Sequence, residues 1–203
     1  MAERGVFVPP SELAKAFVKE NPHADPRTSL HFLGEHFPQV VNGKTQWLPE
    51  GSFARMVHRP HVVRRKPPKD LDIVCRDESM VRALGGVIEL EDMKADWQNP
   101  IDARGSRYWF RARRYNFSKK QEDRLFEGYD EVVIDGIVYR IMKEDFVMMS
   151  KIQTFGGKGP REPDIEDVLS YGRPIEDAKR VFYSLGGAKG GFRIPPGLTA
   201  GSK

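Results

Sequence analysis

Residues 129 to 149 read YDEVVIDGIVYRIMKEDFVMM, in which two apolar stretches flank Asp135-Gly136 and a third follows a charged break. An Asp-Gly pair between apolar runs is typical of a two-residue hairpin loop, because both central residues of a type I′ turn need positive φ. Such a loop pairs Ile134 with Ile137 and gives the hairpin one buried face. The segment therefore predicts a β-hairpin, and the run from Phe146 to Ile152 predicts a further strand.

The composition is that of a soluble protein. The chain has 203 residues, a net charge of +4, 31% charged residues and a mean hydropathy of -0.56. It has no apolar stretch approaching the roughly 18 residues that a membrane helix needs, and its N-terminus lacks the apolar core of a signal peptide. Cys75 is the only cysteine, which excludes an internal disulfide and a cysteine-based metal site. We expect a cytoplasmic protein, in a bacterium or in the host cell of a virus.

The chain divides into three regions by composition and predicted secondary structure. Residues 1–65 form an N-terminal extension, with a short helix capped by Ser11 and a small hairpin around Asn42-Gly43. Residues 66–153 are rich in predicted strands. Residues 154–203 form a C-terminal extension, for which two short helices and a flexible tail are predicted.

The β-rich region resembles the GroES-type co-chaperonins. Residues 123–152 are similar to the closing part of that family, in which a hairpin of the type EVxIDGxxYxIM is followed by a last strand. Residues 66–79 resemble its first core strand, and residues 83–97 resemble the end of its mobile loop. The resemblance implies a mainly β protein, with a GroES-like β-barrel core between short helical N- and C-terminal extensions.

The resemblance also implies a homo-oligomeric ring, a heptamer in the bacterial family. Its first and last strands pair between neighbouring subunits, which would cover the open edge of the apolar last strand. The residues implied at this subunit interface are Leu71, Ile73, Cys75, Phe146, Met148 and Ile152.

A mobile loop over residues 76–90 would contact the partner chaperonin through a short apolar patch. Burying each Val, Ile or Leu contributes about 1.5–3 kcal/mol, so one loop binds weakly and a ring of loops gains avidity. The function implied is a lid on a GroEL-type chaperonin that assists an unfolded client, such as a viral capsid protein. An alternative is a similar barrel reused as a viral structural or assembly component. The loop residues implied are Gly85, Gly86, Val87, Ile88 and Leu90, with Glu89 departing from the family pattern.

A second alternative is a nucleic-acid-binding β-barrel. Residues 101–120 interleave basic and aromatic side chains, which suit phosphate contacts and base stacking. The competing interpretation is that alternate aromatics face the barrel core while arginines coat its rim. The candidate contact residues are Arg107, Arg111, Arg113 and Arg114.

Catalytic and metal signatures are not found in the sequence. The histidines have loosely ligand-like spacing, but no cysteine or suitably placed carboxylate completes a site. The glycine-rich run from Gly156 to Gly159 lacks the strand and helix context of a phosphate loop. The sequence therefore predicts no catalytic residue, no metal and no cofactor.

Overall fold

The protein is described by a computed structural model over residues 5–8, 11–21, 24–62, 68, 71–84, 86–89, 110–114, 117–153, 162–187, 189–194 and 198. The strands are β1 (Gly5–Val8), β2 (Val40–Val41), β3 (Lys44–Thr45), β4 (Trp47–Pro49), β5 (Leu71–Cys75), β6 (Gly86–Glu89), β7 (Phe110–Arg114), β8 (Tyr129–Ile134) and β9 (Ile137–Met142). The helices are α1 (Glu12–Glu20), α2 (Pro26–His36), α3 (Gly51–His58), α4 (Glu78–Leu84), α5 (Lys119–Phe126), α6 (Glu144–Gln153), α7 (Glu162–Ser170) and α8 (Ile175–Ser184).

A five-stranded mixed sheet lies at the centre of the fold, with strand order β1-β6-β7-β5-β4. Strands β5, β6 and β7 run parallel, and β1 and β4 are antiparallel to their neighbours. The remaining strands form two separate two-stranded sheets, β2-β3 and β8-β9. The described residues form no closed barrel, and their helical residues outnumber their strand residues about two to one. The predicted mainly β barrel is therefore wrong, and the fold is a mixed α/β one.

The hairpin predicted from Asp135-Gly136 is confirmed. Strands β8 and β9 pair antiparallel with Ile134 opposite Ile137. Asp135 and Gly136 have φ values of 51° and 81°, as a two-residue loop with positive φ requires. The small hairpin around Asn42-Gly43 is also confirmed, as β2 and β3.

The last strand predicted from Phe146 to Ile152 is wrong, because this segment is helix α6. The charged break before it begins the helix: Glu144 and Asp145 occupy the first turn, where carboxylates are stabilised by the helix dipole. The side chains of Phe146, Val147, Met148, Met149 and Ile152 are all buried. A helix buried on nearly all sides has no amphipathic period, and its short apolar run therefore resembles a buried strand in sequence.

The predicted mobile loop, residues 76–90, is also replaced by regular structure where the chain is described. Helix α4 begins after Asp77, whose carboxylate accepts a hydrogen bond from the Ser79 amide at 2.7 Å. The helix buries Met80, Val81 and Leu84 against the core. Strand β6 then pairs with β1 on one side and β7 on the other.

Strand β5 is a buried inner strand of the sheet, between β7 and β4. Leu71, Ile73, Val74 and Cys75 are all buried, as expected of a strand covered on both faces. Helix α3 connects β4 to β5 and packs against both β5 and α6. This arrangement places the start of α3 beside the middle of β5.

No helix in the described ranges is long and apolar enough to cross a bilayer.

Candidate functional site

The predicted interface residues lie inside one chain's core. Leu71, Ile73 and Cys75 are buried on β5, which is hydrogen-bonded to β4 on one side and β7 on the other. Strand β5 therefore has no free edge to offer a neighbouring subunit. The other three predicted residues are buried along α6, where helical backbone cannot complete a sheet; they are Phe146, Met148 and Ile152.

The predicted chaperonin-binding patch falls on a strand instead of a loop. Gly86, Val87 and Ile88 belong to β6, inside the five-stranded sheet. Gly85 and Leu90 lie outside the described residues.

The predicted nucleic-acid contacts are divided in a similar way. Arg111, Arg113 and Arg114 belong to β7, which lies between β6 and β5, and Arg107 lies outside the described residues. Strand β7 thus holds an inner position in the sheet, with both of its edges paired.

Two histidines, His31 and His58, make structural contacts. His31 lies between Tyr139 and Asp135, with each ring nitrogen 2.9 Å from an oxygen, and it fastens α2 to the β8-β9 hairpin. His58 hydrogen-bonds the carbonyl oxygen of Met142 at 2.8 Å. In the described part of the chain, His, Cys, Asp and Glu form no group of three that could hold a metal ion.

A different group of residues meets at the start of α3. Gly51, the first residue of that helix, has a φ of 63°, a conformation that favours glycine. A Cβ atom at this position would lie 2.5 Å from Oδ2 of Asp72 on β5. The backbone N–H of Glu50 donates to the carbonyl oxygen of Asp72 at 2.8 Å and holds the two segments together. Glycine is therefore what lets the Asp72 carboxylate lie against the helix N-terminus.

The first amides of α3 and the Asp72 carboxylate have no hydrogen-bond partner among the described residues. No side chain caps the N-terminus of α3, although its first amides have no partner within the helix. Within the described residues, the Asp72 carboxylate forms no hydrogen bond or ion pair, and the residue is only partly buried. Gly51 and Ser52 are also partly exposed, so solvent reaches this point. We call these three residues, Gly51, Ser52 and Asp72, the α3 N-terminal site.

A buried charged cluster supports this site from below. The ammonium of Lys151 on α6 donates to Oγ of Ser52 and lies 2.9 Å from Asp167 on α7. Oγ of Ser52 donates in turn to Oδ2 of Asp167 at 3.3 Å. Nε of Arg55, one turn along α3, is 3.4 Å from Oδ1 of Asp167. The cluster fixes the first turn of α3 against α6 and α7 and places a cation beside it.

Tyr171 closes the far side of the cluster. Its side chain is buried, and this burial, together with the nearby carboxylates of Glu144 and Asp167, raises the pKa of the Tyr171 hydroxyl well above its usual value. The phenol therefore stays neutral throughout the physiological range. Arg59 donates to the backbone oxygen of Tyr171 at 2.9 Å and to Glu144 at 3.1 Å, which ties α3, α6 and the end of α7 together.

The arrangement suits a metal-bound phosphate. Uncapped amides at a helix N-terminus and the positive end of its dipole bind phosphate oxygens. Mg²⁺ is commonly held by one or two protein carboxylates together with substrate phosphates, so a single well-placed carboxylate beside such a helix is enough for a bridging ion. Asp72 and α3 provide this pairing of a cation ligand with an anion site.

Sequence reasoning missed this site, although one signal was present. Asp72 interrupts an otherwise apolar strand, and Asp70 precedes it by two positions in the sequence. Burying a carboxylate costs free energy unless it is paired, so an acidic residue within an apolar strand is a signal in itself. Gly51-Ser52 lies some twenty residues earlier. Only the pairing of β4 with β5 brings the two segments together.

Comparison with known proteins yields no relative: no protein-family profile, no curated protein and no solved structure matches this chain. The geometry of the α3 N-terminal site is therefore the basis for assigning a function.

Proposed function

We propose that this protein is a Mg²⁺-dependent nucleotidyltransferase-type enzyme that binds a nucleoside triphosphate at the α3 N-terminal site. The observation that carries the proposal is the unpartnered Asp72 carboxylate lying against Gly51 at the uncapped N-terminus of α3. An acid that only capped the helix would accept hydrogen bonds from its first amides. Asp72 accepts none from the described residues, which leaves both the carboxylate and the amides available to a ligand.

Each group has a role in this reaction. The first-turn amides of α3 bind oxygens of the triphosphate, and Gly51 allows the close approach that a side chain would block. Asp72 would hold a Mg²⁺ ion, which would supply charge neutralisation and Lewis-acid polarisation at the phosphate. Lys151 positions Ser52 in the first turn of the helix.

The transfer itself is an in-line displacement. An acceptor hydroxyl forms a new bond to the α-phosphorus, the bond to the bridging oxygen breaks, pyrophosphate leaves, and the hydroxyl proton passes to solvent. Enzymes of this chemistry often use two metal ions and more than one carboxylate. Asp70, two positions before Asp72 in the sequence, lies outside the described residues.

The predicted co-chaperonin function is tested by none of the comparisons and stays a prediction. The same holds for its chaperonin, client and heptameric ring, for the viral assembly alternative and for nucleic-acid binding. We do not advance these functions, because the barrel, the last strand and the loop from which they were inferred are replaced by an α/β sheet, α6, α4 and β6.

Binding and transfer are tested with the full chain. Calorimetric titration with each of the four ribonucleoside triphosphates in the presence of Mg²⁺ should show binding that EDTA abolishes. Incubation with α-³²P-labelled triphosphates and RNA or protein acceptors should transfer label, whereas γ-³²P label should leave with pyrophosphate. If the γ-³²P label is transferred instead, the enzyme is a kinase and the nucleotidyl assignment is wrong.

Variants locate the activity. Asp72→Asn should lower transfer about a hundredfold, because the metal loses its anionic ligand while the fold is kept. Asp130→Asn, on the separate β8-β9 hairpin, is the matched control and should leave transfer unchanged. If the wild-type chain binds none of the four triphosphates with Mg²⁺, the proposal is wrong.

A further inference from the structure

The outer edge of β8 has backbone groups that point away from its partner strand. Opposite Glu131 lies Arg140 on β9, whose N–H donates to Gln39 Oε1 and whose carbonyl oxygen accepts from Gln39 Nε2, each at 2.7 Å. The Arg140 groups therefore face away from β8. In an antiparallel ladder the two members of such a pair both direct their N–H and C=O groups outward, and this repeats at every second residue. The amide and carbonyl groups of Glu131 and Val133 thus point outward from the free edge of β8.

The two edges of the β8-β9 hairpin differ in their hydrogen bonding. The Gln39 side chain occupies the β9 edge and mimics a neighbouring backbone. Across the described residues, no hydrogen bond is made to the outward groups of Glu131 or Val133. Val133 on this edge and Val138, opposite it on β9, are 69% and 60% exposed. An unpaired strand edge with exposed valines is a ready template for an added strand.

The charges along the edge determine which partner fits. Asp130 and Glu131 lie on β8 and Asp135 lies in its turn. Glu131 is 54% exposed and pairs with Arg140, whereas Asp135 lies beside His31 and Arg27. Suppose that two copies of β8 paired antiparallel through their outward groups. In every register, Glu131 would then lie opposite or diagonal to an acidic residue of the second copy. Like charges across strands are destabilising, so the edge disfavours a second copy and favours a cationic strand.

We propose that the β8 edge receives an extended, positively charged strand of another protein by β-augmentation. The partner's backbone hydrogen-bonds the outward groups of Glu131 and Val133, its apolar side chains contact the exposed valines, and its Lys or Arg side chains face the acidic residues. This inference does not depend on the proposed enzymatic function.

Defined peptides test the edge. The probe is a fluorescein-labelled eight-residue peptide of alternating Lys and Val, with binding followed by fluorescence anisotropy. It should bind the full chain, and two control peptides should bind at least about tenfold more weakly: one with Glu in place of Lys, and one with a central Pro that removes a backbone donor. Equal binding of the acidic peptide, or no binding of the Lys-Val peptide, would overturn the proposal.

Variants of the protein place the probe on β8. Val133→Pro removes an outward N–H without breaking a bond to β9 and should weaken binding at least about tenfold, as should Glu131→Lys. Val41→Thr alters an exposed valine on the separate β2-β3 hairpin and should leave binding unchanged. Asp72→Asn should also leave it unchanged, which separates this surface from the α3 N-terminal site. Unfolding midpoints of all variants confirm that each is folded.

Sedimentation of the wild-type chain addresses self-association. A monomer of 23.2 kDa is expected. A dimer that Val133→Pro dissociates would overturn the choice of a foreign cationic strand over a second copy.

Discussion

At the scale of single residues, glycines with positive φ are of two kinds: some only allow a turn, and one also leaves space for a neighbouring side chain. Gly43 and Gly136 have positive φ in hairpin loops, and a Cβ atom at either would meet nothing within 4 Å. Gly51 has positive φ as well, but a Cβ there would press on the Asp72 carboxylate. Because glycine adopts positive φ without strain, it is the close approach of Asp72, and not the turn alone, that sets Gly51 apart. This contrast is why Gly51 and Asp72 are proposed as a site and the hairpin glycines are not.

Gly51→Ala is expected to destabilise the protein more than Gly43→Ala. Both changes place alanine at positive φ, which costs about 1–2 kcal/mol. Only at Gly51 does the new Cβ also lie 2.5 Å from Oδ2 and 3.1 Å from Cβ of Asp72, so that side chain must move. Urea unfolding should show a further loss of about 1 kcal/mol or more for Gly51→Ala. Equal losses for the two variants would contradict the close approach.

Asp25 gives a pH-dependent contribution to stability at the start of α2. Its carboxylate accepts hydrogen bonds from the Thr28 backbone N–H and hydroxyl, and chiefly the backbone bond lowers the pKa of Asp25 below its usual 3.8. A carboxyl group with a lowered pKa stabilises the fold above its unfolded-state pKa, and this stabilisation is lost as the pH falls through the folded-state pKa. The loss is therefore confined to pH values below about 4.

Asp25→Asn should remove this pH dependence while keeping the cap, because asparagine also caps helices well. At about pH 7 the free energies of unfolding of the variant and the wild type should agree within about 0.5 kcal/mol. At about pH 3 the wild type should have lost stability relative to the variant. Asp25→Ala is the control, and it should lose about 0.5–2 kcal/mol at neutral pH. An unchanged difference between wild type and Asp25→Asn at the two pH values would contradict this role.

At the scale of elements, the sequence predicted those whose signal is local. The β8-β9 hairpin was correct to the residue pair, because Asp135-Gly136 fixes its turn. Helix α1 was correct because Ser11 accepts from the Ala14 amide as an N-cap. Helix α6 was missed because burial on nearly every side removes the period by which a helix is recognised.

The site was missed for a related reason. Gly51 and Asp72 are brought together by the pairing of β4 with β5, a tertiary contact with no local sequence signal. The resemblance to co-chaperonins depended on the hairpin, which many folds contain, and on an apolar run that is helical. A confirmed hairpin thus gave no information about the sheet on which the site depends.

Helices α3, α6 and α7 depend on one another through Asp167. This residue is 0% exposed and lies within ion-pair distance of Arg55 and Lys151, which are themselves buried. Removing one partner from a buried ion pair leaves uncompensated charge and costs about 3–5 kcal/mol. Asp167→Asn keeps the shape of the side chain and should lower the free energy of urea unfolding by that amount.

The surface pair of Lys15 and Glu12 is the control for Asp167. These charges are 2.7 Å apart but mostly exposed, so Glu12→Gln should cost at most about 1 kcal/mol. A loss below about 1 kcal/mol for Asp167→Asn would show that the cluster does not hold the three helices together.

At the scale of the whole molecule, residues from all three predicted regions contribute to one hydrophobic core. Within the described residues, this core includes Phe17 near the N-terminus, Ile73 in the sheet, and Phe182 and Leu198 near the C-terminus. Helix α8 packs against α6, which packs against α3. The helical C-terminal region is therefore part of the packing that supports the α3 N-terminal site. Such continuity predicts that the chain unfolds as one cooperative unit.

Phe182→Ala tests this cooperativity, because it removes a buried aromatic ring from α8, far along the chain from the sheet. The ring contacts Phe192 edge-on and is 3% exposed, so its loss should cost about 3–5 kcal/mol. In a background with Trp97 and Trp109 replaced by phenylalanine, Trp47 fluorescence reports on the sheet, and circular dichroism reports mainly on the helices.

Both signals should shift together to a lower urea midpoint in Phe182→Ala, because α8 and the sheet share one core. Leu169→Ala, on an exposed position of α7, should move neither midpoint appreciably. If Phe182→Ala lowered the circular dichroism midpoint but left the Trp47 transition in place, α8 would unfold independently of the sheet. The α3 N-terminal site would then keep its shape without α8, and Phe182→Ala would still bind a Mg²⁺-nucleotide under conditions in which α8 is unfolded.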